Sequence, residues 1–351
     1  MFCFFFYFSG SDFKNHGELC REEGSAHMEL TVEKVFTKEI LQEAAKRFGV
    51  TVAEEPLGDF ENYIFRAEGE DQTPYVLRLT HSSHRTYKQI EAELDFLAYL
   101  GKNGAKVAAP HQSKNALFVE SLQATDGTSF YVSLFDYANG ERVKDVDSTV
   151  WNDTLFYAWA KAIGQLHRLT MDYPKTENRV TWLDDEITII DMLQEDKELQ
   201  GIAYEVVAEI QKLPVTNRTF GLIHGDIHHG NFHYENGELT IFDFDDATYN
   251  YFAHDLAMVV YYSVLRKDWT EEEKEKFSRH QLQVLKEGYE TEHTLDDSVY
   301  DSIPLFMRLR DVALYGTIMK KFNGKEMPEH FQTLTNAIYK RIIAKKAIVE
   351  W

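Results

Sequence analysis

The chain has 351 residues, of which 44% are hydrophobic and 27% charged, a composition typical of a soluble folded protein with room for two lobes. Its 37 basic and 58 acidic residues give a formal net charge of −21, which argues against nucleic acid as a partner and leaves room for a cationic substrate. Two cysteines are too few for a disulfide framework or a cysteine-rich zinc site, so a reducing, cytoplasmic location is expected.

The first residues differ in character from the rest of the chain. The apolar run at residues 2–8 is far shorter than the roughly 20 apolar residues that a membrane span needs. It also lacks the basic start and the small-residue cleavage site of a signal peptide. A helical pattern begins only after Met28. We therefore expect residues 1–27 to be a non-native extension created by the choice of start site, with a disordered tail as the alternative.

The segment that follows predicts a small lobe of mixed structure. Its first helix is amphipathic and stops at Gly49, a residue type that commonly ends helices. The predicted order is helix 37–48, strands 50–56, 63–67 and 75–79, helix 85–100, and strands 116–122 and 130–135. This order of elements is that of an α+β lobe.

Beyond Asn139-Gly140 the pattern becomes mainly helical. Helices are predicted over 149–169, 186–212, 256–265 and 271–288, with two more inside 304–348. A hairpin is expected through Asn236-Gly237 to a strand over 239–244. The sequence therefore predicts an α+β, bilobal fold, with an N-terminal lobe at 28–135 and a larger helical C-terminal lobe at 136–351, joined by a hinge near 136–140.

Two short stretches combine polar side chains in an unusual way. The first reads His-Gly-Asp-Ile-His-His-Gly-Asn over 224–231, and the second reads Ile-Phe-Asp-Phe-Asp-Asp over 241–246. Phosphoryl transfer needs an acceptor for the proton of the attacking hydroxyl and two oxygen ligands for Mg²⁺. Asp226 could orient or deprotonate the hydroxyl, and Asn231 and Asp243 could hold the metal.

This combination resembles the protein-kinase-like phosphotransferase superfamily, in its aminoglycoside phosphotransferase, choline kinase and homoserine kinase branch. The resemblance implies that Asp226 is the catalytic base and that His224 is a structural histidine. It also implies that Asn231 and Asp243 are the two magnesium ligands. The segment His-Asp-Leu-Ala that begins at residue 254 matches a family segment whose Asp, here Asp255, supports the catalytic loop.

The resemblance extends to the small lobe and implies a bound ATP. The stretch 57–63 looks like the short turn of the family that covers the nucleotide, which assigns Gly58 and Asn62 to cofactor binding. Arg78 stands where many members carry a phosphate-gripping Lys, so its charge role is retained with a different geometry. Glu93 is expected to pair with Arg78, with Glu91 as the alternative.

Other acidic and histidine-rich stretches allow more than one interpretation. Asp245 and Asp246 are by default solvated turn carboxylates, with contact to the metal or to a cationic substrate as the alternative. We expect Asp245 to be a supporting residue of the site. The acidic cluster at 184–186 either starts a helix or binds an ammonium group. A zinc site made of the histidines at 224, 228, 229 and 233 is disfavoured, because no cysteine or helical histidine pair joins them.

The predicted function is an ATP- and Mg²⁺-dependent transfer of the γ-phosphate to a hydroxyl of a small molecule. Amino alcohols, aminoglycosides and homoserine-like amino acids are the substrate classes of this branch. A stress-response type Ser/Thr protein kinase and a nucleotide-binding pseudokinase regulator are the alternatives. Neither a P-loop nor a dinucleotide fingerprint occurs, and the sequence predicts no nucleic-acid or membrane partner. It leaves the oligomeric state open.

Overall fold

The structure is a computed structural model that describes residues 28–59, 61–145, 147–323 and 326–351. The predicted extension at 1–27 lies outside these residues. The described chain divides into two compact units, one made of 28–94 and 109–137 and the other of 95–108 and 138–351. The lobe boundary at 135/136 stays a prediction.

The first unit is built on a six-stranded antiparallel sheet. Its strands are β1 (Thr51–Gly58), β2 (Asn62–Glu68), β3 (Pro74–His81), β4 (Pro110–His111), β5 (Glu120–Gln123) and β6 (Ser129–Asp136). They pair in the order β1-β2-β3-β6-β4, and β5 also pairs with β6. Helices α1 (Leu30–Glu33) and α2 (Lys38–Phe48) precede the sheet, and α3 (Tyr87–Lys102), of which residues 95–102 belong to the second unit, follows β3.

Helix α2 forms for reasons that the sequence shows. Thr37 caps its start by accepting a hydrogen bond of 3.3 Å from the backbone N–H of Ile40. Gly49 ends it with a φ of 71°, a left-handed conformation that glycine adopts without a steric penalty, as predicted. Buried residues of α2, such as Leu41, join a core with the buried face of the sheet, such as Phe65.

The second unit is mainly helical and holds two small sheets. Its helices are α4 (Asp153–Thr170), α5 (Trp182–Met192), α6 (Lys197–Ile210), α7 (Phe252–Val264), α8 (Glu271–Tyr289), α9 (Asp297–Asp301), α10 (Ile303–Lys321) and α11 (Glu329–Ile343). Its strands are β7 (Glu141–Arg142), β8 (Phe220–Ile223), β9 (Phe232–Glu235), β10 (Glu238–Ile241) and β11 (Thr248–Tyr251). None of the helices in the described chain is long and apolar enough to cross a membrane.

Short strands place both polar stretches of the second unit. Strand β8 pairs with β11 and ends directly before residues 224–231. Strands β9 and β10 form the predicted hairpin, and β10 ends directly before residues 242–246. Helix α7 follows β11 and is buried along almost its whole length, so it provides a fixed support behind these loops.

Two predicted elements differ from the structure. The single helix predicted over 186–212 is two helices, because Asp196 caps a new helix by accepting a hydrogen bond of 3.0 Å from Leu199 N–H. The strand predicted from Ala116 starts only at Glu120. Ala116 has a φ of 59° and its N–H donates to the Ser113 carbonyl, so this segment is a turn.

Candidate functional site

The loop after β8 holds Asp226 in a buried position. Asp226 is 1% exposed, and its backbone carbonyl accepts a hydrogen bond of 2.9 Å from Asn231 Nδ2. Its backbone N–H donates to His224 Nδ1 at 3.3 Å. His224 and Asn231, two residues of the predicted site, therefore hold the backbone N–H and the backbone carbonyl of the predicted base.

His224 connects this loop to the one after β10. Because Nδ1 accepts a hydrogen bond from Asp226, the proton of the neutral ring lies on Nε2, which donates to the Phe242 carbonyl at 3.1 Å. Burial lowers the pKa of His224 and so favours this neutral form. Phe242 directly precedes Asp243, so one imidazole ties together the two stretches that the sequence singled out.

Asp255, near the start of α7, accepts hydrogen bonds from the main chain of the same loop. Its Oδ2 accepts from the backbone N–H of His224 at 3.2 Å, and its Oδ1 accepts from that of Gly225 at 2.9 Å. His167 Nε2 lies 3.1 Å from Oδ2 and donates to it. Burial opposes ionisation of Asp255, but the His167 hydrogen bond and the nearby imidazoles outweigh it and lower the pKa of the carboxyl.

Gly225 occupies a position that only glycine fits. Its φ is 85°, and a Cβ there would lie 2.5 Å from the Asp246 carbonyl oxygen, far inside van der Waals contact. The Gly225 carbonyl accepts a hydrogen bond of 2.9 Å from His254 Nε2. The loop at 224–231 therefore lies directly against the main chain of the stretch at 241–246.

The two oxygens of the Asp226 carboxylate have different surroundings. Oδ1 accepts a hydrogen bond of 2.6 Å from Arg310 Nη2. Oδ2 is buried and has no hydrogen-bond partner among the described residues; His228 Nε2 lies 3.5 Å from it. Burial raises the pKa of Asp226 to about 7, although the Arg310 guanidinium opposes the shift. A carboxyl with a pKa near neutrality is well matched to proton transfer.

Asn231 and Asp243 present oxygen atoms of the kind that a hard divalent cation prefers. The Nδ2 group of Asn231 donates to the Asp226 carbonyl, so the opposite end of the amide, Oδ1, points elsewhere; it is buried with no hydrogen-bond partner in the described part of the chain. Asp243 has a φ of 67°, which is unusual for a residue other than glycine. An orphaned amide oxygen and a carboxylate on a constrained backbone are donors of the kind that a site for a hard divalent cation needs.

Asp245 and Asp246 are not the solvated turn carboxylates that the default interpretation predicts. They are 0% and 6% exposed, respectively. Arg179 fixes this turn by donating to the backbone carbonyls of Asp245 at 2.6 Å and Ala247 at 2.7 Å. The turn folds inward because a buried guanidinium satisfies its carbonyl groups.

In the first unit, Arg78 and Glu93 form a buried ion pair. Arg78 Nη1 and Nη2 donate to Glu93 Oε1 and Oε2 at 2.8 and 2.7 Å, and the two residues are 4% and 1% exposed. Glu91 is exposed on the same helix, so the structure decides between the two alternatives in favour of Glu93. The Arg78 guanidinium also lies 4.9 Å from the centre of the Phe135 ring.

Gly58 and Asn62 mark the two ends of the β1–β2 connection. Gly58 is the last residue of β1, and Asn62 is the first of β2. Asn62 is buried, and its Oδ1 accepts a hydrogen bond of 2.6 Å from the Thr80 hydroxyl. This bond fixes the Asn62 side chain on β3, the strand that carries Arg78.

Comparison with known proteins agrees with this geometry. The profile of the phosphotransferase enzyme family (APH) matches residues 52–294. The chain belongs to this family. It is 33% identical over 303 residues to amicoumacin kinase of Bacillus subtilis (strain 168), a match that covers 83% of this chain and 88% of the relative. It is 25% identical over 322 residues to the serine/threonine protein kinase RdoA of Salmonella typhimurium, and this match covers 89% of each protein.

A solved structure gives the same result. Amicoumacin kinase hAmiN, in complex with AMP-PNP, Ca²⁺ and Ami, matches 92% of this chain and 98% of its own chain, with a TM-score of 0.83 and 28% identity. The predicted superfamily, the kinase-like α+β fold and the assignment as a phosphotransferase are confirmed.

His224, His228 and His233 of this phosphotransferase serve as hydrogen-bonding groups. His228 Nδ1 accepts from the Gly230 N–H at 2.9 Å, and His233 Nδ1 donates to the Ala138 carbonyl at 2.8 Å. Within the described ranges, the imidazoles at 224, 228, 229 and 233 do not bring three of their nitrogens together as a ligand set.

The acidic cluster at the start of α5 divides into two kinds of residue. Asp184 accepts hydrogen bonds from the backbone N–H and the hydroxyl of Thr181, which is the helix-start role. Glu186 is 2% exposed, and burial raises its pKa to about 8, against an opposing effect of the Arg310 charge.

Several residues around Asp226 were missed by reasoning from the sequence. Arg310, Arg179 and His167 lie 84, 47 and 59 positions from Asp226 along the chain, and none of them falls in a recognisable motif. A partial signal existed for Arg310, because Arg308, Arg310 and Asp311 are charged residues within a largely apolar stretch of α10.

Proposed function

We propose that this phosphotransferase moves the γ-phosphate of ATP to a hydroxyl of a small molecule, with Asp226 as the proton acceptor. One observation carries the proposal: Asp226 is a buried carboxylate with one oxygen fixed by Arg310 and the other without a hydrogen-bond partner in the described chain. Such an oxygen can accept the proton of an attacking hydroxyl once substrate is bound.

Asn231 and Asp243 would hold Mg²⁺ through Oδ1 and a carboxylate oxygen. The bound ion would neutralise charge on the phosphates and so favour attack on phosphorus. The buried, unpartnered amide oxygen of Asn231 supports this assignment from within the chain. The AMP-PNP and Ca²⁺ in the amicoumacin kinase structure support a nucleotide together with a divalent cation.

Arg78 would bind phosphate oxygens with a positive charge, and Glu93 would hold the guanidinium in place. Two parallel hydrogen bonds leave little freedom to the Arg78 side chain, so its charge is positioned before nucleotide arrives. Gly58 and Asn62 would shape the connection that covers the nucleotide. We assign His224, Asp245 and Asp255 supporting roles around the catalytic loop.

The identity of the small-molecule acceptor is proposed from the relatives and from the charge of the chain. The substrate named for both amicoumacin kinases makes amicoumacin the first acceptor to test. The net charge of −21 supports an acceptor that carries a positive charge. The relation to a serine/threonine protein kinase supports including a protein substrate as the second candidate.

The test measures ADP release by the purified full chain with ATP and Mg²⁺. The acceptor panel contains amicoumacin, amino alcohols, aminoglycosides, homoserine and a generic protein substrate. Acceptor-dependent turnover is expected with a small molecule; turnover with the protein substrate alone would move the assignment to the alternative. Nucleotide binding without turnover on any acceptor would refute the proposal.

Two variants test the assigned residues. Asp226→Asn and Asp243→Ala should each lower kcat by about 100-fold or more, because one loses the proton acceptor and the other a metal ligand. Asp172→Asn, an exposed carboxylate of the same unit, is the matched control and should keep the activity of the unaltered protein. Full activity of Asp226→Asn would exclude this residue as the base.

A further inference from the structure

Helix α10 brings a positive charge into contact with the proposed base. Arg310 is 1% exposed, and burial of an unpaired guanidinium is strongly unfavourable. Its Nη2 donates to Asp226 Oδ1 at 2.6 Å, and its Nε donates to the Tyr262 hydroxyl at 2.9 Å. A buried ion pair of this kind adds little to stability compared with an apolar pair of similar volume, so its presence calls for a functional explanation.

The pair makes the two carboxylate oxygens of Asp226 unequal. Oδ1 is engaged by Arg310, whereas Oδ2 is buried with no hydrogen-bond partner in the part of the chain described here. Since a carboxylate is planar, a fixed Oδ1 also fixes the direction in which Oδ2 can accept a proton. Proton transfer depends strongly on such alignment.

We propose that Arg310 is a positioning residue, which holds Asp226 so that Oδ2 faces the substrate hydroxyl as the proton acceptor. This inference rests on the proposed function.

Tyr262 and His228 complete the arrangement. The Tyr262 hydroxyl accepts hydrogen bonds from both Nε and Nη2 of Arg310, and the guanidinium carbon lies 5.2 Å from the centre of the Tyr262 ring. These contacts determine the orientation of the guanidinium plane. His228 accepts at Nδ1 from Gly230 N–H, so its proton lies on Nε2, on the side of Asp226 Oδ2. At 3.5 Å this nitrogen is too far to form a hydrogen bond and leaves Oδ2 available.

The deciding experiment is a double-mutant cycle between Arg310→Met and Asp226→Asn, measured as kcat and KM for the acceptor identified by ADP release. If Arg310 acts through Asp226, Arg310→Met should lower kcat by about 100-fold in the unaltered background, with KM changed by less than about threefold. In the Asp226→Asn background it should lower the residual rate by less than about threefold, because the group that it positions is no longer a base. Equal losses in both backgrounds, or an unchanged kcat, would overturn the proposal.

Control variants separate positioning from folding. Arg308→Met removes an arginine from the same helix whose partner is Glu209, 3.0 Å away, and it should leave kcat unchanged. Tyr262→Phe keeps the ring and the Arg310–Asp226 pair but removes the hydroxyl that orients the guanidinium plane. It should lower kcat about threefold to tenfold in a protein that remains folded at the assay temperature. If Arg310→Met does not fold, Tyr262→Phe decides, and a normal kcat there refutes the inference. An unaltered protein without turnover would instead refute the proposed function, and the inference with it.

Discussion

Replacement of Asp255 by asparagine tests how much the catalytic loop depends on one buried carboxylate. Asp255 accepts three hydrogen bonds, from the N–H groups of His224 and Gly225 and from His167 Nε2, at 3.2, 2.9 and 3.1 Å. Asparagine has nearly the same shape but only one accepting oxygen. Its NH₂ group would face at least one donor that Asp255 now satisfies.

The size of the effect follows from these contacts. If the asparagine oxygen takes the Oδ1 position, the bonds from His224 and His167 are lost; if it takes the Oδ2 position, the bond from Gly225 is lost. A hydrogen bond to a charged group contributes about 1.5–3 kcal/mol. The lower burial cost of a neutral amide offsets part of the loss. We expect Asp255→Asn to lower the free energy of unfolding by about 3 kcal/mol and to lower kcat, because the loop that bears Asp226 loses its support.

Urea denaturation at pH 7 measures the first effect, and ADP release measures the second. Because the pKa of Asp255 is lowered in the folded protein, its stabilisation is present above the pKa of the unfolded chain and is lost as pH falls through the folded value. The difference between the two proteins should therefore stay constant from pH 6 to pH 8. Asp172→Asn serves as the control. A free energy within about 0.5 kcal/mol of the unaltered protein would refute this account of the loop.

Three further predictions concern the other buried groups. Gly225→Ala should destabilise the protein by more than about 2 kcal/mol, because its Cβ would clash with the Asp246 carbonyl. The control Gly104→Ala has a similar φ of 89° but open space around its Cβ, so it should cost only about 1–2 kcal/mol. Equal effects of the two variants in thermal melts would exclude the clash. Glu93→Gln should cost about 3–5 kcal/mol and raise the KM for ATP, because it leaves the Arg78 charge uncompensated, and Glu91→Gln should change neither quantity. Burial raises the pKa of Glu186 from 4.5 to about 8, so the folded protein holds this proton and loses stability as pH rises between those values. Glu186→Gln should remove this loss, which is on the order of 5 kcal/mol. If the free energies of unfolding of the variant and of the unaltered protein changed in parallel from pH 5 to pH 9, the assignment would be contradicted.

The fold was predictable where local signals are strong. Helix α2 carries an N-cap, an apolar face and a C-terminal glycine, and each of these is readable within a dozen residues. The short strands β4 and β7 have two residues each and carry no periodic pattern, so only pairing with β6 and β9 defines them. The break between α5 and α6 was missed because neither a glycine nor a proline stands between the two helices, and residues 194–198, which are all polar, fit an exposed part of a continuous helix.

The candidate site was predictable in its motif residues and not in their partners. Asp226, Asn231 and Asp243 lie within 18 positions of one another, at a spacing that local sequence can show. Arg310 reaches Asp226 from 84 positions away, and Arg179 reaches the Asp245 carbonyl from 66. The solvated state assigned to Asp245 and Asp246 was wrong for this reason: their burial depends on packing that brings distant elements together.

The distribution of charge around Asp226 explains why its cation is an arginine. Burial lowers the pKa values of His224, His228 and His254, to about 4 for His254, so these imidazoles contribute hydrogen bonds near neutrality without a positive charge. A guanidinium, in contrast, keeps its proton at any physiological pH. Arg310 therefore places a constant positive charge beside Asp226 and fixes the orientation of its carboxylate. A histidine in these surroundings would lose its positive charge, and a lysine, with its rotatable ammonium group, would not fix the orientation. Arg310→Lys should accordingly keep the fold and show a kcat above that of Arg310→Met but below that of the unaltered protein.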